Sequence, residues 1–242
     1  MPLTQLKKDH EADAIAKRLS TPPKPSYLKD WIYGGIDGTV TTFAVVAGVI
    51  GAELGTNVIL ILGLANLLAD GFSMAAGNYS GAKAELEDYE RIKEIERRHI
   101  ETVPEGEREE LRQILAAKGL HGETLENAVA SISSDEECWI DIMLVEEYGL
   151  SKITSSPLTA ALSTFASFCL CGAVPLMPFI TGTQSAFQIS IFLTAIVFFI
   201  IGSMKSAWSL KKWWISGLET LAIGGIAASV AFYVGVFLKG II

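Results

Sequence analysis

Two aspartates sit where aspartate is costly. Asp37 lies within the apolar run WIYGGIDGTVTTFAVVAGVI, and Asp70 within NVILILGLANLLADGFSMAAG. Each run is long enough to cross a hydrocarbon core of about 30 Å. A charged side chain at the centre of such a run costs roughly 2.5–3.5 kcal/mol on insertion scales, so a carboxylate kept there is a candidate cation ligand. Gly34, Gly35 and Gly38 flank Asp37, and small residues let a second helix approach closely enough to shield it from lipid. In the second run Asn66, Asp70 and Met74 stand at i, i+4 and i+8, on one helix face. Oxygen donors joined by a thioether suit a borderline ion such as Fe²⁺ better than Mg²⁺ or Ca²⁺. Methionine also fills gaps in apolar packing, and an aspartate can simply bond a neighbouring helix. Met74 therefore counts only in the company of Asp70 and Asp37. Glu219 lies near the start of the last apolar run.

A second set of donors lies in the charged block between the apolar runs. Glu96 and His99 are i, i+3, and Glu107 and Glu110 repeat that spacing after a break at Val103-Pro104. Each pair falls on one side of its helix, and carboxylates with a histidine at this spacing are the ligand pattern of carboxylate di-metal bundles. Met143 and Glu147 follow at i, i+4. The plainer reading is a solvated acidic face with Arg97, Arg98 and Arg108 as ion-pair partners. Charge bookkeeping keeps the metal reading open. Residues 82–152 hold 19 Asp and Glu against 9 Lys and Arg, whereas the whole chain is −8. The acidity thus belongs to one block, which points to a cation partner and away from nucleic acid.

The elements that must position these groups are helical. Five apolar runs, about 31–50, 57–77, 157–180, 186–204 and 215–238, are each long enough to span a bilayer. Helical character continues from the second run into NYSGAKAELEDYERIKEIERRHIE, which predicts one unbroken helix leaving the membrane. Pro104 suits a first helical turn and Gly119 a C-terminal stop. A further helix is expected over about 122–131, and then one over about 135–148 capped by Ser134, with Glu137 in capping-box position. The polar start of the chain predicts one amphipathic helix over 6–19 ended by prolines 22, 23 and 25, not a cleavable signal. Cys138, Cys169 and Cys171 form no CxxC pair and read as free thiols. The links after the first and third spans lack Lys and Arg, whereas the fourth link holds Lys205, Lys211 and Lys212 among Trp208, Trp213 and Trp214. Basic links favour the cytoplasm, which puts the N-terminus and the acidic block on that side. The expected fold is an all-α membrane protein of five transmembrane helices with a cytoplasmic helical metal-binding domain inserted between the second and third. Its parts are a cytoplasmic segment 1–29, spans 30–81, the domain 82–152 and spans 153–242.

Together these stretches resemble the vacuolar iron transporter family, as a prokaryotic-type member. The matching segments are IYGGIDGTVTTFAVVAG, DGFSMAAGNYSGAKAELEDY, TVPEGEREELRQIL, WIDIMLVEEYGL and GAVPLMPF. The resemblance implies a five-span homodimer that exports Fe²⁺, and often Mn²⁺, from the cytosol in exchange for protons, with the pathway at the dimer interface and no prosthetic group. It implies that Asp37 is the pathway carboxylate of the first span and Met74 the methionine of the second. Glu96, Glu107, Glu110, Met143 and Glu147 are implied as metal ligands of the cytoplasmic domain. Two positions depart from the family pattern. His99 stands in place of a glutamate, keeping a nitrogen donor but no negative charge, and Asn66 replaces a second-span glutamate and cannot carry a proton. Asp70, one turn along, is the nearest group able to take that role. Two other functions fit the same residues: a membrane-anchored metal sensor or buffer, and a di-metal enzyme, for which a helical block of this size leaves little room. A prokaryotic inner membrane and a vacuole-type membrane suit the sequence equally.

Overall fold

The computed structural model describes residues 3–21, 24–153 and 155–241, and among them there is no strand. Two short helices, α1 (Leu3–Lys8) and α2 (Ala12–Ser20), open the chain. The single amphipathic helix expected there is therefore broken, at the turn Asp9–Glu11, where Asp9 and Glu11 bond back to the helix as turn residues. Pro22 and Pro23, expected to end it, lie outside the described residues. Next come α3 (Leu28–Gly51) and α4 (Thr56–Thr102), then α5 (Pro104–Ala117), α6 (Gly122–Ser133) and α7 (Glu136–Glu146). The chain closes with α8 (Pro157–Ala173), α9 (Met177–Ile180), α10 (Ala186–Met204) and α11 (Trp213–Lys239).

Five stretches are long and apolar enough to cross a membrane: α3, α4, α8 with α9, α10 with the 3₁₀ turn after it, and α11. The third is not one regular helix. Pro175 and Pro178 lack the N–H that a helix needs, and a 3₁₀ turn at Val174–Leu176 divides α8 from α9. The second is longer than a span. At about 1.5 Å per residue, the 47 residues of α4 reach about 70 Å, more than twice a hydrocarbon core. Its apolar half packs with the other spans around Phe43, Val46, Ile59, Leu67, Phe168 and Leu176. Its charged half packs with α5–α7 around Tyr89, Leu111, Val129, Trp139, Ile140 and Leu144. One rigid rod thus joins two separate apolar cores.

Local signals explain the bundle. Pro104 opens α5, and Gly119 stops it with φ +95°, a conformation that costs glycine nothing. Asp135, not Ser134, caps α7: its carboxylate accepts from the Cys138 N–H at 3.2 Å, while the Ser134 hydroxyl bonds back to Ser131 O. The carboxylate is the better acceptor at a helix N-terminus. Arg97 then reaches Glu94, Glu136 and Glu137, and Lys93 reaches Glu137, clamping α4 to α7.

Candidate metal-handling sites

α3 and α4 run antiparallel through a short link, and their facing sides carry the groups within the spans. The glycines of α3 make a close crossing, but with α8. A Cβ on Gly34 would meet the Thr164 carbonyl, and one on Gly38 the Phe168 carbonyl. Asp37 sits half-buried on the neighbouring edge, near enough to Asp70 of α4 for the two charges to repel. Asp70 and Met74 line a cavity of about 670 Å³ that extends along α4 past Asn78 to Glu85. Asn66 and Asp70 also line a shallow groove along α4 that Val45 of α3 borders. The Asn66 amide donates to Thr41 Oγ1 at 3.2 Å, so its nitrogen is engaged with α3. Glu219 is not part of this arrangement, because Lys211 holds it at 2.6 Å near the start of its helix.

In the bundle, the joint between α4 and α5 brings Glu96, His99 and Glu107 together. His99 Nδ1 lies 4.0 Å from Glu96 and 3.5 Å from Glu107. Glu96 is fully buried and Glu107 nearly so, while His99, Glu110 and Glu147 form an exposed rim. Of the arginines that spacing offered as partners, Arg97 goes to Glu94, Glu136 and Glu137 and Arg108 to Glu105, while Arg98 is in none of the ion pairs among the described residues. Arg112 and Lys118 likewise take Glu109, Glu126 and Glu146. Among the described residues, Glu96, Glu107, Glu110 and Glu147 have no Lys or Arg partner. Met143 is fully buried in the apolar cluster of the same bundle. These groups do not form a closed cage as they stand: among the described residues no three His, Cys, Asp or Glu converge as a metal-holding group.

The electrostatics follow from burial without a counter-charge. Glu96 is pushed up to about 8, first by burial, then by the hydrogen bond to and repulsion from Glu107, with Glu147 and Glu110 adding. With both carboxyls ionised, neither Glu96 oxygen has a donor, and nor does Glu107 Oε2. A proton on Glu96 supplies the missing donor; a cation would satisfy the same oxygens. Burial, then Glu107 and Glu147, also raise Glu110, against the lowering effect of His99. Tyr148 is pushed up to about 12 by burial and then by Glu147, Glu96 and Glu107. It is a member of this cluster that no spacing signal marked, because it is adjacent in sequence to Glu147 and off the i, i+3 pattern.

Five candidate spans, with facing carboxylates between two of them and an acid-lined bundle on the extension of one, define a polytopic membrane protein. The sequence matches the VIT family over residues 28–236, and the chain belongs to that family. It is 35% identical to a vacuolar iron transporter of Centaurea cyanus over 208 residues, 85% of each chain. It is 33% identical to vacuolar iron transporter 1 of Arabidopsis thaliana over 210 residues, 85% of this chain and 83% of the relative. A vacuolar iron transporter of Toxoplasma gondii is 33% identical over 235 residues, 92% of this chain and 78% of the relative.

Proposed function

We propose that this chain carries iron as Fe²⁺, and with it Mn²⁺, across a membrane in exchange for protons, and that it is a transporter and not an enzyme. The observation that carries the reading is a pair of aspartates on adjacent candidate spans, Asp37 and Asp70, close enough for their charges to interact, with Asp70 lining a cavity that also holds Met74. A passive anchor has no use for two carboxylates there. Metal is the cargo. Glu96, Glu107, Glu110, Glu147, His99 and Met143 collect it on the cytoplasmic side, where the uncompensated negative charge concentrates cations. Asp37, Asp70 and Met74 then hold it midway. Asn66, its amide nitrogen bonded to Thr41, offers a carbonyl oxygen but no proton, so the proton-carrying role falls to Asp70 and Asp37. A carboxylate that holds either metal or proton gives exchange directly: metal displaces the proton on one side and protons displace the metal on the other.

The orientation belongs to the same proposal. With five crossings, the N-terminus, the bundle and the Lys205–Lys212 link share one side, and the basic link favours the cytoplasm. The exposed small residues Ala65, Ala69, Ser73 and Gly77 along α4 suit close packing against a second copy, so the working unit is a homodimer. Either a prokaryotic inner membrane or a vacuole-type membrane suits this direction of transport. The test is metal flux into proteoliposomes under an imposed pH gradient, with Fe²⁺, Mn²⁺, Zn²⁺ and Co²⁺ compared side by side. The reading expects Fe²⁺ and Mn²⁺ flux that collapses without the gradient. A second reading, a membrane-anchored metal buffer or sensor, is favoured by the separate apolar core of the bundle. It predicts full metal binding with no flux of any ion.

A further inference from the structure

The facing sides of α3 and α4 form a ladder with one register. Asn66 donates to Thr41 and the Asn78 amide donates to Asp30 Oδ1 at 2.9 Å, a register that sets Asp70 level with Asp37. Moving along the two antiparallel helices, the rungs are spaced by one turn and then by two. The middle rung is the carboxylate pair that the transport reading uses. The last rung is unused by it, yet it lies in the same cavity, one turn from Met74 on the side toward the bundle.

Asn78 does more than bond Asp30. Its amide nitrogen also donates to Thr164 Oγ1 at 2.7 Å, and Thr164 is fully buried on α8. Both amide protons are thus spent, and α3, α4 and α8 are tied together beside the cavity. A neutral amide fixes a carboxylate without cancelling its charge, as an arginine would. Lys29 lines the same cavity, but among the described residues it forms no ion pair with Asp30. Asp30 is therefore held in place and left negative, between the bundle that collects metal and the Asp70–Met74 level.

We propose that Asn78 is a positioning residue that holds the Asp30 carboxylate in this vestibule, where its charge draws the divalent cation from the bundle toward Met74 and Asp70. The inference rests on the transport reading. It separates charge from packing, which makes it testable by exchange of the two side chains. Asp30→Asn keeps a hydrogen-bonding group of the same size and removes the charge. Asn78→Leu keeps the charge and removes the clamp. The double variant Asp30→Asn/Asn78→Asp swaps donor and acceptor and keeps one carboxylate in the vestibule.

The experiment is initial-rate Fe²⁺ flux in proteoliposomes of the full chain across a range of metal concentrations. Fe²⁺ binding by each purified variant in detergent reports whether the bundle is intact. Asp30→Asn is expected to raise KM about tenfold, the low end of electrostatic concentration effects, with maximal flux preserved. Asn78→Leu is expected to raise KM and lower maximal flux together. The double variant is expected to return KM to within about twofold of the unmodified chain, while Asn78→Asp alone, which sets two carboxylates side by side, does not. A KM unchanged in Asp30→Asn would overturn the proposal, because a merely structural bond survives that substitution. A double variant no better than Asn78→Asp would overturn it as well. Should Asn78→Leu fail to fold, Asn78→Ser, which keeps one donor in place of two, is expected to raise KM above that of the unmodified chain, and an unchanged KM there would overturn the clamp. Absence of flux from the unmodified chain would overturn the transport reading itself, and this inference with it.

Discussion

Replacing Glu96 by glutamine should stabilise the metal-free bundle while destroying its purpose. Burial and Glu107 push the Glu96 carboxyl from 4.5 up to about 8. A raised carboxyl means that the folded state holds a proton which the unfolded chain releases. The stabilisation is therefore fully present below about pH 4.5 and is lost as pH rises through about 8. Over that window the loss is at most about 1.4 kcal/mol per pH unit, a few kcal/mol in all, shared between Glu96 and the Glu107 that it faces. The assay is amide hydrogen exchange of residues 93–115 in the full chain, metal-free and chelated, corrected for intrinsic rates between pH 5 and 9. The unmodified joint should open more easily with each pH unit. Glu96→Gln should flatten that slope, protect the joint at pH 8 and abolish tight metal binding there. Greater protection of the unmodified joint at pH 8 than at pH 5, or a Glu96→Gln bundle that opens more readily than the unmodified one at pH 8, would refute the reasoning.

Three further outcomes follow from the same geometry. Met74→Leu should keep the fold and shift flux from Fe²⁺ toward Mn²⁺, because the cavity loses its soft donor and keeps its oxygens; competitive flux measurements check this, and unchanged selectivity would remove Met74 from the site. His99→Glu should tighten divalent-cation binding by the bundle, by about fivefold if the added charge is worth about 1 kcal/mol at this half-exposed position; calorimetric titration reads it, and weaker binding would show that the imidazole nitrogen matters more than charge. Gly38→Val should prevent correct assembly of the spans, since its side chain must enter the Phe168 carbonyl on α8; a monodisperse variant with unmodified melting behaviour would contradict the crossing.

Much of this architecture is written in local chemistry. The apolar runs, Pro104, Gly119 and the unbroken helical pattern after Gly77 locate the helices within a few residues, and α4 does continue as one rod. Where local signals compete, the reading goes astray. Ser134 and Asp135 are both competent caps, and the stronger acceptor wins. The N-terminal pattern spans a turn at Asp9–Glu11 that periodicity alone does not expose. In the bundle, i, i+3 spacing picks out Glu96, Glu107 and Glu110, but spacing cannot say which acids lack a cation. That depends on Arg97 turning toward α7, some 40 residues away in sequence. Tyr148 carries no pattern at all. Asn78 carried one, since it extends the stripe Asn66–Asp70–Met74 by one more turn. Its partner Asp30 is 48 residues distant, and only the register of two antiparallel helices brings them together.

The central claim is that carboxylates between the spans exchange metal for protons. Its most direct measurement is simultaneous metal and proton movement in proteoliposomes, with metal-sensitive and pH-sensitive dyes sealed inside, for the unmodified chain and Asp37→Asn. The account predicts that Fe²⁺ and protons move in opposite directions in the unmodified chain. It predicts that Asp37→Asn abolishes both movements while the bundle still binds metal. Fe²⁺ flux that persists in Asp37→Asn, or that proceeds in the unmodified chain with no opposing proton movement, would contradict it.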